Sequence, residues 1–132
     1  MIAAIDHLVL TVRSPEDAVA FYGRALGLES IRFGQGRLAL RVGDQKINLQ
    51  MPGQEIRNHA CIGSGDLCLI SAVPLANVQA RLAAEGVEII EGPVRKSGAR
   101  GPMTSIYFND PDGNLIEISR YDETAANVLR ME

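Results

Sequence analysis

The chain has 132 residues, 46% of them hydrophobic, with 13 Lys and Arg against 16 Asp and Glu, a formal net charge of -3 and a pI near 5.4. That apolar share can bury a sizeable core in one compact domain, which two half-modules could build, and the acidic balance argues against a nucleic-acid partner. No apolar run approaches the roughly 20 residues that cross a bilayer, and Met1 to Asp6 lacks the basic and long apolar regions of a secretory signal.

Ile5 to Val12 is β-branched and leucine-rich and reads as a strand. Ser14-Pro15-Glu16-Asp17 then starts a helix, with a capping hydroxyl, a proline at the first helical position and acids at the positive end of the dipole. Ala18, Phe21, Tyr22, Ala25 and Leu26 form its apolar stripe, and Gly27 suits the left-handed position that stops it. Strands are expected at Leu28–Phe33, Arg37–Val42 and Gln45–Met51, separated by Gly34-Gln35-Gly36 and Gly43-Asp44 turns. Residues 52–65 are polar and aperiodic and read as a linker.

A second series follows: a strand at Asp66–Ser71, a helix opened by Pro74 with Leu75, Val78 and Leu82 on one face, and strands at Val87–Val94, Pro102–Asn109 and Asn114–Ser119. Asp112-Gly113 reads as a two-residue hairpin turn. The segment between Gly92 and Pro102, with Arg95, Lys96 and Arg100, reads as a long loop. The tail, residues 122–132, has no helix breaker and is expected to be a short helix or disordered.

The two series are copies. His7-Leu8-Val9-Leu10, Pro15 and Gly27-Leu28-Glu29 recur 59 positions later as Asp66-Leu67-Cys68-Leu69, Pro74 and Gly86-Val87-Glu88. Ile47-Asn48-Leu49 recurs at an offset of 69 as Ile116-Glu117-Ile118. The fold class is therefore α+β, as two tandem βαβββ modules: module 1 over residues 4–51, the linker, and module 2 over 66–121. Duplication pairs His7 with Asp66 and Asn48 with Glu117. Cys61 and Cys68 stand in neither CxxC spacing nor a dense framework, which suits reduced thiols and a cytoplasmic protein.

Asp6 to Val12, Phe21-Tyr22 through Leu26-Gly27-Leu28, and Tyr107 to Glu117 resemble the vicinal oxygen chelate superfamily. Its members include glyoxalase I, bleomycin-binding proteins and extradiol dioxygenases. The resemblance runs from Ile5 to about Tyr121. It implies half-barrels around a shared cleft, a divalent metal held by the first and fourth strands of each module, a small-molecule substrate, and a homodimer. By position the ligands would be His7, Asp66 and Glu117, with Asn48 a weaker, neutral donor. One imidazole and two carboxylates suit Ni²⁺, Mn²⁺, Fe²⁺, Co²⁺ or Zn²⁺.

The chain departs from the pattern at two places. Glyoxalase I and the extradiol enzymes usually have histidine where Asp66 stands, and glyoxalase I has glutamate where Asn48 stands. The resemblance implies three activities: a metal-dependent glyoxalase-like lyase or isomerase with Glu117 as base, an extradiol-dioxygenase relative using Tyr107, and a metal-free ligand-binding protein. Asp66 in place of histidine counts against ring cleavage, which uses two histidines and a carboxylate. Each residue also has a plain alternative: His7 as a surface histidine, Asp66 as a turn cap, Tyr107 as an ordinary strand aromatic. Arg95 and Arg100 could grip an acidic substrate, since guanidinium pairs with carboxylates in a fork, or simply solvate a loop. His59 is a reserve ligand in the linker.

Overall fold

A computed structural model describes residues 1–122. The expected tail thus lies, from residue 123 onward, outside the described residues. Among the described residues, eight strands and two helices follow the predicted order: β1 (His7–Thr11), α1 (Pro15–Leu26), β2 (Ser30–Phe33), β3 (Arg37–Val42), β4 (Gln45–Gln50), β5 (Asp66–Ile70), α2 (Leu75–Ala84), β6 (Glu91–Gly98), β7 (Gly101–Asn109) and β8 (Leu115–Tyr121). They form two four-stranded sheets, ordered β1-β4-β3-β2 and β5-β8-β7-β6. In each, the first strand runs parallel to the last and the other pairs are antiparallel. The repeat read from sequence is a repeat of topology.

The chain divides into two compact units. One holds Met1–Gly65 together with Asp110–Asn114, and the other Asp66–Asn109 with the residues from Leu115 onward.

In the first unit, α1 packs on β3 and β4. The Ser14 side chain accepts from the Asp17 amide at 3.2 Å, and Gly27 closes the helix at φ +69°, where a side chain would be strained. The predicted stripe is what the helix buries: Ala18, Phe21, Tyr22 and Ala25. Beneath it lie Leu10, Leu38, Leu40, Ile47 and Leu49, all buried. The Tyr22 hydroxyl donates to Asp110 Oδ2 at 2.6 Å. Burial and the Asp110 carboxylate together push this phenol far above its ordinary range.

In the second unit α2 packs on β8, and Leu82, Ile106, Phe108, Ile116 and Ile118 are buried. Here Pro74 occupies the N-cap and provides no side-chain hydrogen bond. The helix start predicted at proline is found one residue later, with a weaker cap than Ser14 gives α1.

Two expectations are corrected. The strand expected at Val87–Val94 begins only at Glu91 and runs on to Gly98, so the segment from Gly92 to Pro102 is no long loop: Arg95 and Lys96 lie on β6, and only Ala99 and Arg100 turn the hairpin to β7. The apolar content beyond Val94 is too low to signal that the strand continues. An edge strand, however, can leave polar side chains in solvent while one partner satisfies its backbone. Pro93 sits where the register slips between Glu91 and Val94, a position that tolerates a missing N–H. The ten extra positions of the second copy thus lengthen a hairpin. Asp112-Gly113 is likewise not a two-residue turn, because Asn109 pairs with Leu115 and five residues intervene. Asp110 organises that loop: its Oδ1 accepts from the amides of Asp112 and Asn114, and its Oδ2 from Asn114 Nδ2, each at 2.9 Å.

Candidate functional site

Directly opposed residues on neighbouring strands project to the same face of a sheet. The ladders of the second unit thereby set four side chains in a row: Cys68 opposite Glu117, Glu117 opposite Tyr107, and Tyr107 opposite Glu91. Asp66 and Ser119, two residues from Cys68 and Glu117, share that face, as does Ser105 opposite Ser119. The opposite parity carries Ile116 and Ile118, both buried. Glu117 therefore belongs to the polar face of its strand.

The row is knit together by hydrogen bonds. Ser119 Oγ lies 3.1 Å from Glu117 Oε2, 2.6 Å from Ser105 Oγ and 3.1 Å from Cys68 Sγ. The Tyr107 hydroxyl is pushed up to about 12 by partial desolvation, then by its hydrogen bond to Glu117 and the nearby Glu117 and Glu91 charges. At neutral pH it is a proton donor. Partial desolvation also pushes the Cys68 thiol up, outweighing the Ser119 hydrogen bond, with Glu117 adding to the rise. That thiol is a poor nucleophile, as expected for a cysteine without a nearby cation.

The equivalent row in the first unit is chemically different: Val9, Asn48, Ala39 and Ile31. Asn48 is 5% exposed, and its Oδ1 is buried without a hydrogen-bond partner. An orphaned buried acceptor costs about 1–3 kcal/mol, so a donor or cation would be welcome there. His7 shares this face, two residues from Val9. Its Nδ1 lies 2.8 Å from Asp6 Oδ2, and a proton held on that nitrogen leaves Nε2 as a lone-pair donor. Lys46, opposite His7, places its ammonium 3.4 Å from the centre of the Phe33 ring.

Arg95 lies opposite Thr104, on the face away from Glu117, and its guanidinium forms a fork with both Asp122 oxygens at 2.6 Å. Arg100 stacks its guanidinium 4.7 Å from the Tyr121 ring. Lys96 instead shares the Glu117 face and approaches the Tyr107 ring at 5.6 Å. His59 and Cys61 are exposed in the segment between the sheets. Among the described residues, no three His, Cys, Asp or Glu side chains converge closely enough to hold an ion. Sequence reading missed Ser105, Ser119 and Glu91. The alternation of Ser105 and Tyr107 with Ile106 and Phe108 carried the signal for the first of these.

Taken separately, each unit offers one side chain whose chemistry suits a divalent cation: Glu117 in the second, a carboxylate held by hydroxyl donors on a polar sheet face, and Asn48 in the first, with a desolvated amide oxygen.

Comparison with known proteins agrees with this fold. The sequence profile of the Glyoxalase/Bleomycin resistance protein/Dioxygenase superfamily matches residues 4–118. The chain is 44% identical to the glyoxalase domain-containing protein RDO1 of Mycosarcoma maydis, over 92% of this chain and 70% of that protein. It is 46% identical to the virulence protein STM3117 of Salmonella typhimurium, over 92% of this chain and 86% of that protein. The crystal structure of STM3117 superposes with a TM-score of 0.86, covering 92% of this chain and 99% of that one. A lactoylglutathione lyase from Agrobacterium tumefaciens shares the fold at 23% identity and a TM-score of 0.72, covering 91% and 95%. With two βαβββ units in the same order and a profile match across nearly its whole length, the chain belongs to the Glyoxalase/Bleomycin resistance protein/Dioxygenase superfamily.

Proposed function

We propose that the protein is a divalent-metal-dependent, glyoxalase-like lyase or isomerase acting on a small substrate that presents neighbouring oxygens. The observation that supports this most is Glu117, a carboxylate on the polar face of β8 flanked by the proton-bearing Tyr107 and Ser119. His7, Asp66 and Glu117 would hold the ion, with Asn48 as a neutral fourth donor. When bound, a divalent ion polarises a substrate carbonyl and stabilises negative charge on oxygen.

The chain's own residues divide the rest of the work. Glu117 is the base that takes a proton from carbon next to the polarised carbonyl. Tyr107, which keeps its proton through neutral pH, donates a hydrogen bond to a substrate oxygen or to Glu117 itself. His7, oriented by Asp6, contributes imidazole. Arg100, on the β6–β7 turn, remains a candidate for an acidic group on the substrate. Arg95 would contribute there only by giving up Asp122. A homodimer in the cytoplasm is part of the proposal, as is the absence of any nucleic-acid or membrane partner.

Metal analysis of protein purified without chelator tests the reading. Near-stoichiometric divalent metal, native or after adding Ni²⁺, Mn²⁺ or Fe²⁺, is the expected result. Clearly substoichiometric metal under all these conditions would overturn it in favour of metal-free ligand binding. Oxygen uptake with a catechol under Fe²⁺ would instead identify an extradiol-dioxygenase relative.

A further inference from the structure

We propose that Ser119 is a positioning residue that fixes the Glu117 carboxylate, with Ser105 aligning the Ser119 hydroxyl behind it. The proposal rests on the reading of Glu117 as metal ligand and base.

Ser105 and Ser119 are both 0% exposed, and their hydroxyls lie 2.6 Å apart, at the short end for an O–H···O bond. Ser119 Oγ has three polar neighbours but only one proton to give: Glu117 Oε2, Ser105 Oγ and Cys68 Sγ. A carboxylate can only accept. The Ser119 proton therefore goes to Glu117, since any other direction would set two lone pairs against each other at 3.1 Å. Ser105 must then donate to Ser119, and the Cys68 thiol donates to the same oxygen. One donor, the Ser119 hydroxyl, thus reaches Oε2 of the carboxylate, and two further donors, Ser105 and Cys68, converge on the Ser119 oxygen behind it.

Two fully buried hydroxyls on the Glu117 face of this strand pair would be better replaced by alanine if they served only to fill space, since burying hydroxyls is costly. Their arrangement instead sets a hydroxyl donor on Glu117, a half-buried side chain, beside the one that Tyr107 supplies. Outer partners of this kind commonly alter metal affinity by roughly ten- to a hundred-fold.

Two measurements on the full chain test the idea. In isothermal titration with Mn²⁺, Ser119→Ala is expected to bind roughly ten- to a hundred-fold more weakly than the parent, while Ser119→Thr, which keeps the hydroxyl, stays within about threefold. The second readout needs no metal: the ¹³C carboxyl resonance of Glu117, assigned by its loss in Glu117→Gln. It should move in Ser119→Ala and stay in place in Ser119→Thr. An unmoved resonance in a folded Ser119→Ala protein would overturn the proposal whatever the metal data show. If parent and Glu117→Gln alike ignore Mn²⁺, the metal reading fails, and the carboxyl resonance still decides the role of Ser119.

Discussion

The Tyr22 hydroxyl and the Asp110 carboxylate, 88 positions apart, meet at 2.6 Å in the buried part of the first unit. The bond joins α1 to the loop that separates β7 from β8. Tyr22→Phe leaves the buried carboxylate short of one donor, and we expect a loss of about 1.5–3 kcal/mol in urea unfolding at pH 7. The phenol's pKa is raised on folding, so its contribution is intact below the unfolded value near 10 and declines as pH rises above it. Unfolding free energy should therefore fall between pH 10 and 11, and the fall should be smaller in Tyr22→Phe. An equal slope in the two proteins would refute the assignment.

The two helices predict unequal responses at their starts. Ser14 caps α1 through its hydroxyl, whereas Pro74 gives α2 no side-chain bond. Ser14→Ala should cost about 1 kcal/mol in denaturant unfolding. Pro74→Ser, which supplies the missing acceptor, should leave stability unchanged or raise it.

Gly92 faces a tighter constraint than the turn glycines. Its φ is +107°, and an added Cβ would run into the Ser105 carbonyl oxygen and lie 2.9 Å from Ile106 Cα. Gly92→Ala should destabilise by about 2 kcal/mol or more, since both backbone strain and overlap with an inner strand must be relieved. Gly34→Ala, at φ +54° with nothing within 4 Å, is strained without any overlap and should cost less. Thermal melts of the pair check the ranking.

Among the proposed metal donors the order of effect is set by charge and basicity. Glu117→Ala and His7→Ala should each weaken Mn²⁺ or Ni²⁺ binding by more than tenfold, and Asn48→Ala by much less, because a neutral amide oxygen is a weak donor. Stoichiometric, undiminished binding in both Glu117→Ala and His7→Ala would place the site elsewhere. Asn48→Ala has a second expected effect: it removes an unpaired buried acceptor, so it should not destabilise the fold as a typical buried-polar deletion does.

The sequence made the architecture legible because its signals were local and repeated. Ser14-Pro15, Gly27 and the apolar stripe of α1 each specify one step of a helix, and the second copy shows a similar pattern. The reach of β6 beyond Val94 was not legible. That part of the strand is polar, and what makes it a strand is the backbone of β7, which no window around Arg95 contains. The Asp110 loop was misread for a related reason: Asp112-Gly113 carries a strong turn preference, but three side-chain bonds to Asp110 set the loop at five residues. Glu117 could be found by its offset from Asn48, yet its setting could not. Ser119 follows it by two positions on the same strand, while Ser105 and Tyr107 come from β7 and Cys68 from β5.

The contrast between the two transverse rows has a consequence for how the halves can evolve. Cys68, Glu117, Tyr107 and Glu91 occupy in one sheet the places that Val9, Asn48, Ala39 and Ile31 occupy in the other. A chain spliced from two first halves would keep its topology and discard every carboxylate of the row. One spliced from two second halves would gain a duplicate set of acids and lose imidazole and amide together. The two halves share a topology and no longer share a chemistry, so neither can stand in for the other.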